Sequence, residues 1–274
     1  MRKVPMALTC LAVAGLLAGC EQGRQAQTAR AIDGVAAIDQ QNMAELMLAT
    51  ADPREAVAWF AQAAEASPDR ILFQRGLARS LARAGRAEEA LPVWDRVIAH
   101  AESTLEDRVE LADSHIRAGN WDQAQAVLNA IPPTHESFQR YRLEAMIADT
   151  RRQWDRADHF YEVAVGLTAR PAGVLNNWGF SRLTRGDHRG AERLFMDALR
   201  HDPSLFTAKN NLALARAGQR RYELPLIEMT QIERAQLLHT MGLAAVRQGD
   251  TQIARALLQE AIATHPQHFD AAVT

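Results

Sequence analysis

Small residues recur along most of the chain at a nearly constant spacing. The series is Ala44, Ala78, Ala112, Ala145, Gly179, Ala213 and Gly242, with steps of 34, 34, 33, 34, 34 and 29 residues. In four units a glycine follows seven positions later and an alanine five positions after that, and large apolar residues then recur at helical spacing. This pattern predicts two amphipathic helices in each unit, joined by a short turn. We therefore expect an all-α chain of about seven helical hairpins.

Each recurring element of the spacing has a physical role. A small residue on the first helix and an alanine on the second let two backbones approach closely, so we expect Gly179 and Ala191 to face each other within one unit. A glycine at the end of the first helix accepts the left-handed conformation that ends it. The glycines at this position are Gly85, Gly119, Gly186 and Gly249. Large side chains such as Trp94 and Phe195 are expected to fill the space between neighbouring units.

Three units depart from the pattern. Pro132 and Pro133 should end the second helix of the third unit early, and Arg152 replaces the turn glycine in the fourth. In the sixth unit Pro225 occupies the alanine position, which predicts an irregular segment over residues 222–234. Its apolar residues are expected to pack on the solenoid, and the alternative is a short linear segment lying in the groove. These residues are Leu224, Leu226, Ile227 and Met229.

The repeat resembles the tetratricopeptide repeat (TPR) over nearly all of residues 37–270. The resemblance implies a right-handed superhelical solenoid whose first helices line a concave face. We place the solenoid at residues 37–274. Its units lie near 37–70, 71–104, 105–137, 138–171, 172–205, 206–234 and 235–268, and the sixth of them is degenerate.

The N-terminal sequence is typical of an exported lipoprotein. Arg2 and Lys3 precede an apolar run that ends at Gly19, which is shorter than the ~20 residues of a spanning helix. The run closes with Leu-Ala-Gly before Cys20, which resembles the bacterial lipobox. The resemblance implies a signal peptide over residues 1–19 and a lipid on Cys20. Residues 20–36 are then a lipidated N-terminus and polar tether.

Composition and motifs limit the chemistry of the mature chain. Cleavage before Cys20 leaves one cysteine and therefore no disulfide. It also reduces the 31 basic residues to 29 against 33 acidic ones, a formal charge of −4, which gives no case for nucleic-acid binding. We find no phosphate-binding loop and no nucleophile or metalloprotease motif. His265 and His268 lack a third metal ligand nearby. We expect no enzyme activity, cofactor, metal or small-molecule substrate.

Two sets of residues are candidates for a partner-binding groove. The first lies on the fifth and sixth units and combines amides with apolar anchors: Asn176, Asn177, Phe180, Asn210, Asn211 and Leu214. Such amides can pair with a peptide backbone, but TPR units also carry asparagine there for structural reasons. The second set is an arginine row on the second unit, Arg75, Arg79 and Arg83. The arginines could equally form a solvated helix face.

The C-terminal part of the chain resembles one particular group of TPR proteins. Residues 172–270 contain "NNWGFSRL", "NNLALA" and "LHTMGLAAVRQGD", and they resemble TadD-type lipoproteins of the tight-adherence (Flp) pilus. The resemblance implies a scaffold that assists assembly of the pilus secretin, with envelope proteins as partners. We expect the lipid alone to hold it to the periplasmic face of the bacterial outer membrane, which Glu21 after the anchor favours. The alternatives are a pilotin-like lipoprotein of another envelope machine, or a regulator of a periplasmic protease or cell-wall enzyme.

Overall fold

A computed structural model describes residues 38–266. The predicted signal peptide, Cys20, the tether and His268 lie outside these residues. Within residues 38–266 every regular element is a helix, which confirms the predicted all-α class.

The chain divides into two compact units at Asn120 and Trp121. The helices of the first unit are α1 (38–50), α2 (Pro53–Ala66), α3 (Ile71–Arg83), α4 (Ala87–Ala99) and α5 (Leu105–Arg117). Those of the second unit are α6 (Trp121–Asn129), α7 (Phe138–Thr150), α8 (Trp154–Gly166), α9 (Ala172–Thr184), α10 (His188–His201), α11 (Phe206–Ala217), α12 (Gln231–Arg247) and α13 (Thr251–Thr264). Helix α6 is short, as Pro132 and Pro133 predicted.

In the first unit, large side chains pack between successive helices. Phe60 of α2 is fully buried among Ala44, Ala56 and Phe73, which come from three different helices. Trp94 of α4 is 1% exposed, and its indole Nε1 donates a 2.9 Å hydrogen bond to Ser114 Oγ on α5. The predicted role of Trp94 between neighbouring repeats is therefore confirmed, and the hydrogen bond satisfies its one polar group.

In the second unit, α9 and α10 approach closely at Gly179. Gly179 and Ala191 are both buried, as expected, but the ring of Phe195 is what lies nearest to Gly179. A β-carbon at Gly179 would come within 2.6 Å of Phe195 Cε1. Phe195 follows Ala191 by one turn, and helical side chains lean toward the N-terminus, so its ring covers the glycine. The same ring packs with Ala208 and Leu212 of α11.

The turns within the helix pairs confirm the predicted glycine role. Gly85, Gly119, Gly186 and Gly249 have φ angles of 76°, 80°, 84° and 80°. Arg152 and Arg220 occupy the same place in their own units and have φ angles of 55° and 58°. This conformation costs a non-glycine residue roughly 1–2 kcal/mol. The repeat geometry therefore imposes the left-handed turn even where the side chain opposes it.

The sixth unit has no second helix between α11 and α12. Leu224 and Met229 pack partly buried against the α12–α13 cluster, and Ile227 packs against the α10–α11 cluster. The prediction that Leu226 also packs is wrong, because this side chain is fully exposed. The Ile227 amide donates to the Pro225 carbonyl at 3.0 Å, and this three-residue turn places Leu226 at its apex.

Substitution of two glycines on α9 should separate close packing from helix propensity. Gly179→Ala should lower the free energy of unfolding by about 1–3 kcal/mol, because the new methyl overlaps the Phe195 ring. Gly173→Ala is the matched control, since nothing lies within 4 Å of a β-carbon there, and it should be neutral or slightly stabilising. Urea unfolding followed by circular dichroism measures both. Equal stability of the two variants would contradict the close contact.

Candidate functional site

The predicted arginine row of the first unit is joined to neighbouring first helices. Arg75 makes two hydrogen bonds to the Asp107 carboxylate, Nε–Oδ1 and Nη2–Oδ2, each 2.7 Å long. Arg79 Nε lies 3.2 Å from Glu110 Oε1, also on α5. Arg83 reaches back to the Leu48 carbonyl at the end of α1. The three arginines thus connect α3 to α5 and α1.

Asp107 is the most deeply buried acid of these pairs. Its side chain is 2% exposed, and it also closes a capping box with Thr104 at the start of α5. Burial alone would raise the pKa of Asp107, but the hydrogen bonds from Arg75 and Thr104 outweigh it and hold the pKa below its usual value. Arg75 therefore serves the packing of α3 on α5, which removes it as a free anchor for a partner.

The predicted amides of the second unit lie together on consecutive first helices. Asn211 Nδ2 on α11 donates to Asn176 Oδ1 on α9 at 3.1 Å. Thr240 Oγ1 on α12 donates to Asn210 Oδ1 at 2.7 Å. Asn177 Nδ2 lies 4.0 Å from the Met146 sulfur on α7, a weak contact. The amide pairs join α9, α11 and α12 side by side.

An apolar row runs beside these amides. It consists of Met146, Phe180, Leu214 and Leu243, which take the same repeat position on α7, α9, α11 and α12. Phe180 is 50% exposed and Leu243 is 42% exposed, while Met146 and Leu214 are half-buried. Val246, one turn further along α12, is 50% exposed. We call these five residues the apolar row.

Sequence reasoning found only part of the apolar row. It named Phe180 and Leu214 but missed Met146, Leu243 and Val246, and it missed Thr240 as an amide partner. The signal was present for two of them, because Met146 precedes Phe180 by 34 residues and Leu243 follows Leu214 by 29, the steps of the small-residue series. The irregular sixth unit obscured the continuation onto α12.

A polar cluster beneath the row holds α7, α8 and α9 together. Asp149 accepts hydrogen bonds from Tyr161 Oη at 2.9 Å and from Ser181 Oγ at 2.6 Å. Burial raises the pKa of the Asp149 carboxyl despite these two hydrogen bonds, and burial also raises the pKa of the Tyr161 hydroxyl. Trp178 Nε1 donates to Asp158 Oδ1 at 2.6 Å, and Arg182 pairs with the same carboxylate. These bonds fix the helices that carry Met146 and Phe180.

The described part of the chain contains neither a cluster of potential metal ligands nor a helix suited to cross a membrane. Residues 38–266 contain no group of three or more histidine, cysteine, aspartate or glutamate side chains that could hold a metal ion, and His265 lies at the end of α13. No helix within this range has both the length and the apolar character needed to cross a bilayer.

Breaking the Arg75–Asp107 pair should lower the stability of the fold. Asp107→Asn should lower the free energy of unfolding by about 1.5–3 kcal/mol at pH 7, the range for hydrogen bonds to charged groups. Because the folded-state pKa of Asp107 is depressed, its contribution is present above the unfolded pKa of ~3.9 and is lost as the pH falls through the lower folded value. The deficit of the variant should therefore be smaller at about pH 3 than at pH 7.

The matched control for this pair is Glu89→Gln. Glu89 pairs with Arg86 on the exposed start of α4, where solvent screens the charges, so its loss should cost much less stability than the loss of Asp107. Urea unfolding at both pH values measures the two variants. A deficit of Asp107→Asn no larger than that of Glu89→Gln would contradict the structural role of the pair.

Comparisons with known proteins identify the same repeat that the helix pairs indicate. Two models of the tetratricopeptide repeat match the chain, one over residues 81–147 and the other over residues 239–273. No curated protein matches at a significant level of sequence similarity.

Several solved structures share the fold at low sequence identity. A chain of the APC/C hetero-tetramer Cut9–Hcn1 has a TM-score of 0.59 and 15% identity, with 81% of this chain and 45% of that chain covered. The human IFIT1 dimer with PPP-AAAA has a TM-score of 0.58 and 15% identity, with 81% and 57% covered. TTC0263, a thermophilic TPR protein of Thermus thermophilus, has a TM-score of 0.56 and 17% identity, with 65% and 97% covered. The chain spans about half the length of the first two.

The two matches to repeat models identify the repeats, and the similar solved structures have the same fold. Proteins of this type serve as scaffolds for protein–protein interaction. The chain therefore contains tetratricopeptide repeats and has the tetratricopeptide repeat fold.

Proposed function

We propose that this protein is a lipid-anchored scaffold that assists assembly of a tight-adherence (Flp-type) pilus at the outer membrane, with the secretin or another assembly subunit as its partner. The lipobox before Cys20 and the TadD-like sequence of residues 172–270 support the location and the system. The repeat fold supports the mode of action, which is partner binding. The apolar row is the surface we assign to that binding.

The exposure of Phe180 is the observation that carries this assignment. A phenylalanine that is 50% exposed on a regular helix, with Leu243 and Val246 exposed on the same face, forms an apolar surface that a partner can cover. Large aromatic anchors supply much of the energy of protein interfaces. The polar cluster around Asp149 and the amide pairs fix the helices beneath, so little ordering is required on binding.

The lipid would supply the membrane attachment. One acyl chain binds a membrane only marginally, whereas two or more hold it stably, so a triacylated Cys20 needs no spanning helix. A tether of the predicted length, residues 20–36, would let the helices work at up to roughly 60 Å from the bilayer, at about 3.5 Å per fully extended residue. This reach suits a scaffold that must meet a partner while both remain at the same membrane.

Removing the exposed anchors should weaken capture of the partner. The double variant Phe180→Ser and Leu243→Ser should raise the dissociation constant for the secretin or other captured subunit at least about tenfold and reduce surface piliation, since both side chains are buried only on binding. Crosslinked pull-down from the envelope and binding to the purified subunit are the measurements. Leu226→Ser is the matched control, because that leucine is fully exposed but lies outside the row. Normal capture by the double variant would place the site elsewhere.

A second test concerns the anchor. Cys20→Ser should prevent lipidation, so the chain should remain an uncleaved precursor or leave the outer-membrane fraction. Cys10→Ser is the control, because Cys10 lies in the segment that cleavage removes and the mature mass should not change. Intact mass and membrane fractionation measure both variants. A mature chain with a free Cys20 thiol refutes the anchor but leaves the binding face untouched.

A further inference from the structure

The apolar row and the amides beside it indicate what kind of partner element fits this face. We propose that α7, α9, α11 and α12 together bind an amphipathic α-helix of the partner, lying along the apolar row, and that they do not bind an extended peptide. This inference rests on the proposed function only in taking the row as the partner-binding surface.

Hydrogen bonding is the first argument. An extended peptide on this face would bring its own backbone N–H and C=O groups out of water, and each group left unpaired costs about 1–3 kcal/mol. The polar groups next to the row already bind one another, Asn211 to Asn176 and Thr240 to Asn210. Pairing a peptide backbone would require breaking these bonds between helices. A helix satisfies its backbone internally and asks only for apolar contact.

Spacing is the second argument. Packed helices lie about 8–10 Å apart, so one step of the row, from Met146 to Phe180 or onward to Leu214, covers about that distance. Residues seven apart on an α-helix share a face and lie about 10.5 Å apart, which matches the step. The four positions from α7 to α12 then correspond to about three heptads of a partner helix. A stripe of apolar residues over roughly 20 residues would cover the whole row.

Charge gives the third argument. The positions one turn before Phe180 and Leu214 are Asn176 and Asn210, and the position one turn after Phe180 is Thr184. The middle of the face is therefore flanked by neutral amide and hydroxyl side chains. Basic residues occur at its two ends, Arg142 on α7 and Arg247 on α12. A fitting helix carries neutral residues beside the middle of its apolar stripe.

Photo-crosslinking along the row tests the orientation and conformation of the partner. Full-length chains with p-benzoylphenylalanine in place of Met146, Phe180, Leu214 or Leu243 are expressed in the native cell and irradiated. Mass spectrometry then identifies the captured protein and the residue attached at each position. We expect one partner segment, with the attached residue advancing by about six or seven at each step of the row. A probe in place of exposed Glu162 on α8 is the control and should not capture this segment.

Each outcome decides the question. An advance of about three residues for each step indicates an extended peptide at about 3.3 Å per residue, which overturns the helix but keeps the proposed binding surface. No capture from any row position overturns both. A further probe in place of Leu226 that captures a partner instead would show that the protein is still a scaffold with another site. Proline at a solvent-facing position of the captured segment should weaken binding about a hundredfold and alanine there should not; equal binding by the two overturns the helix.

Discussion

The fold depends on how closely the two helices of a pair can approach. The alanines of the small-residue series are all fully buried: Ala44, Ala78, Ala112, Ala145 and Ala213. Where the series has glycine, a large side chain takes the space, Phe195 over Gly179 and Leu258 against Gly242, where a β-carbon would come within 2.9 Å. This contact sets the spacing within a pair, and the pair sets where the first helix of the next repeat can lie. Protein interiors tolerate little overlap, so one added methyl at such a contact strains the packing of that helix pair.

Polar side-chain contacts then hold neighbouring first helices together, and the chemistry of these contacts differs between the two compact units. In the first unit they are ion pairs from arginines to α5, with Asp107 almost completely buried. In the second unit the contacts that border the apolar row are neutral, between Asn176 and Asn211 and between Asn210 and Thr240, while the Lys209–Glu233 ion pair lies nearer the start of α11 and α12. An ion-paired face resists covering by a partner, because the charges would lose water without gaining a better partner. A neutral face with apolar side chains loses little when it is covered, which favours the second unit as the binding surface.

The sequence predicted what the repeat period determines. Helix pairs, left-handed turns and the burial of Trp94 all follow from spacing, because each is a property of one repeat position. What spacing could not provide is the partner of each side chain. The arginine row looked like an exposed patch until α5 placed Asp107 and Glu110 opposite it, a long-range pairing between two helices. Leu226 was expected to pack because it is apolar, but a three-residue turn at Pro225 sets its direction.

The irregular sixth unit lacks its second helix but keeps its first helix packed against the next one. Residues 219–230 form no helix, and the repeat step falls from 34 to 29, yet α11 and α12 still lie side by side. Lys209 of α11 is 4% exposed and reaches both carboxylate oxygens of Glu233 on α12, at 3.0 and 3.1 Å. Burial opposes ionisation of Glu233, but the hydrogen bonds from Thr230 and Lys209 outweigh it and lower the pKa of that carboxyl. This ion pair, in which Lys209 is buried and Glu233 is partly exposed, links the two first helices where the second helix is missing. The second helix can therefore be lost at this point without interrupting the apolar row, because the row belongs to the first helices alone.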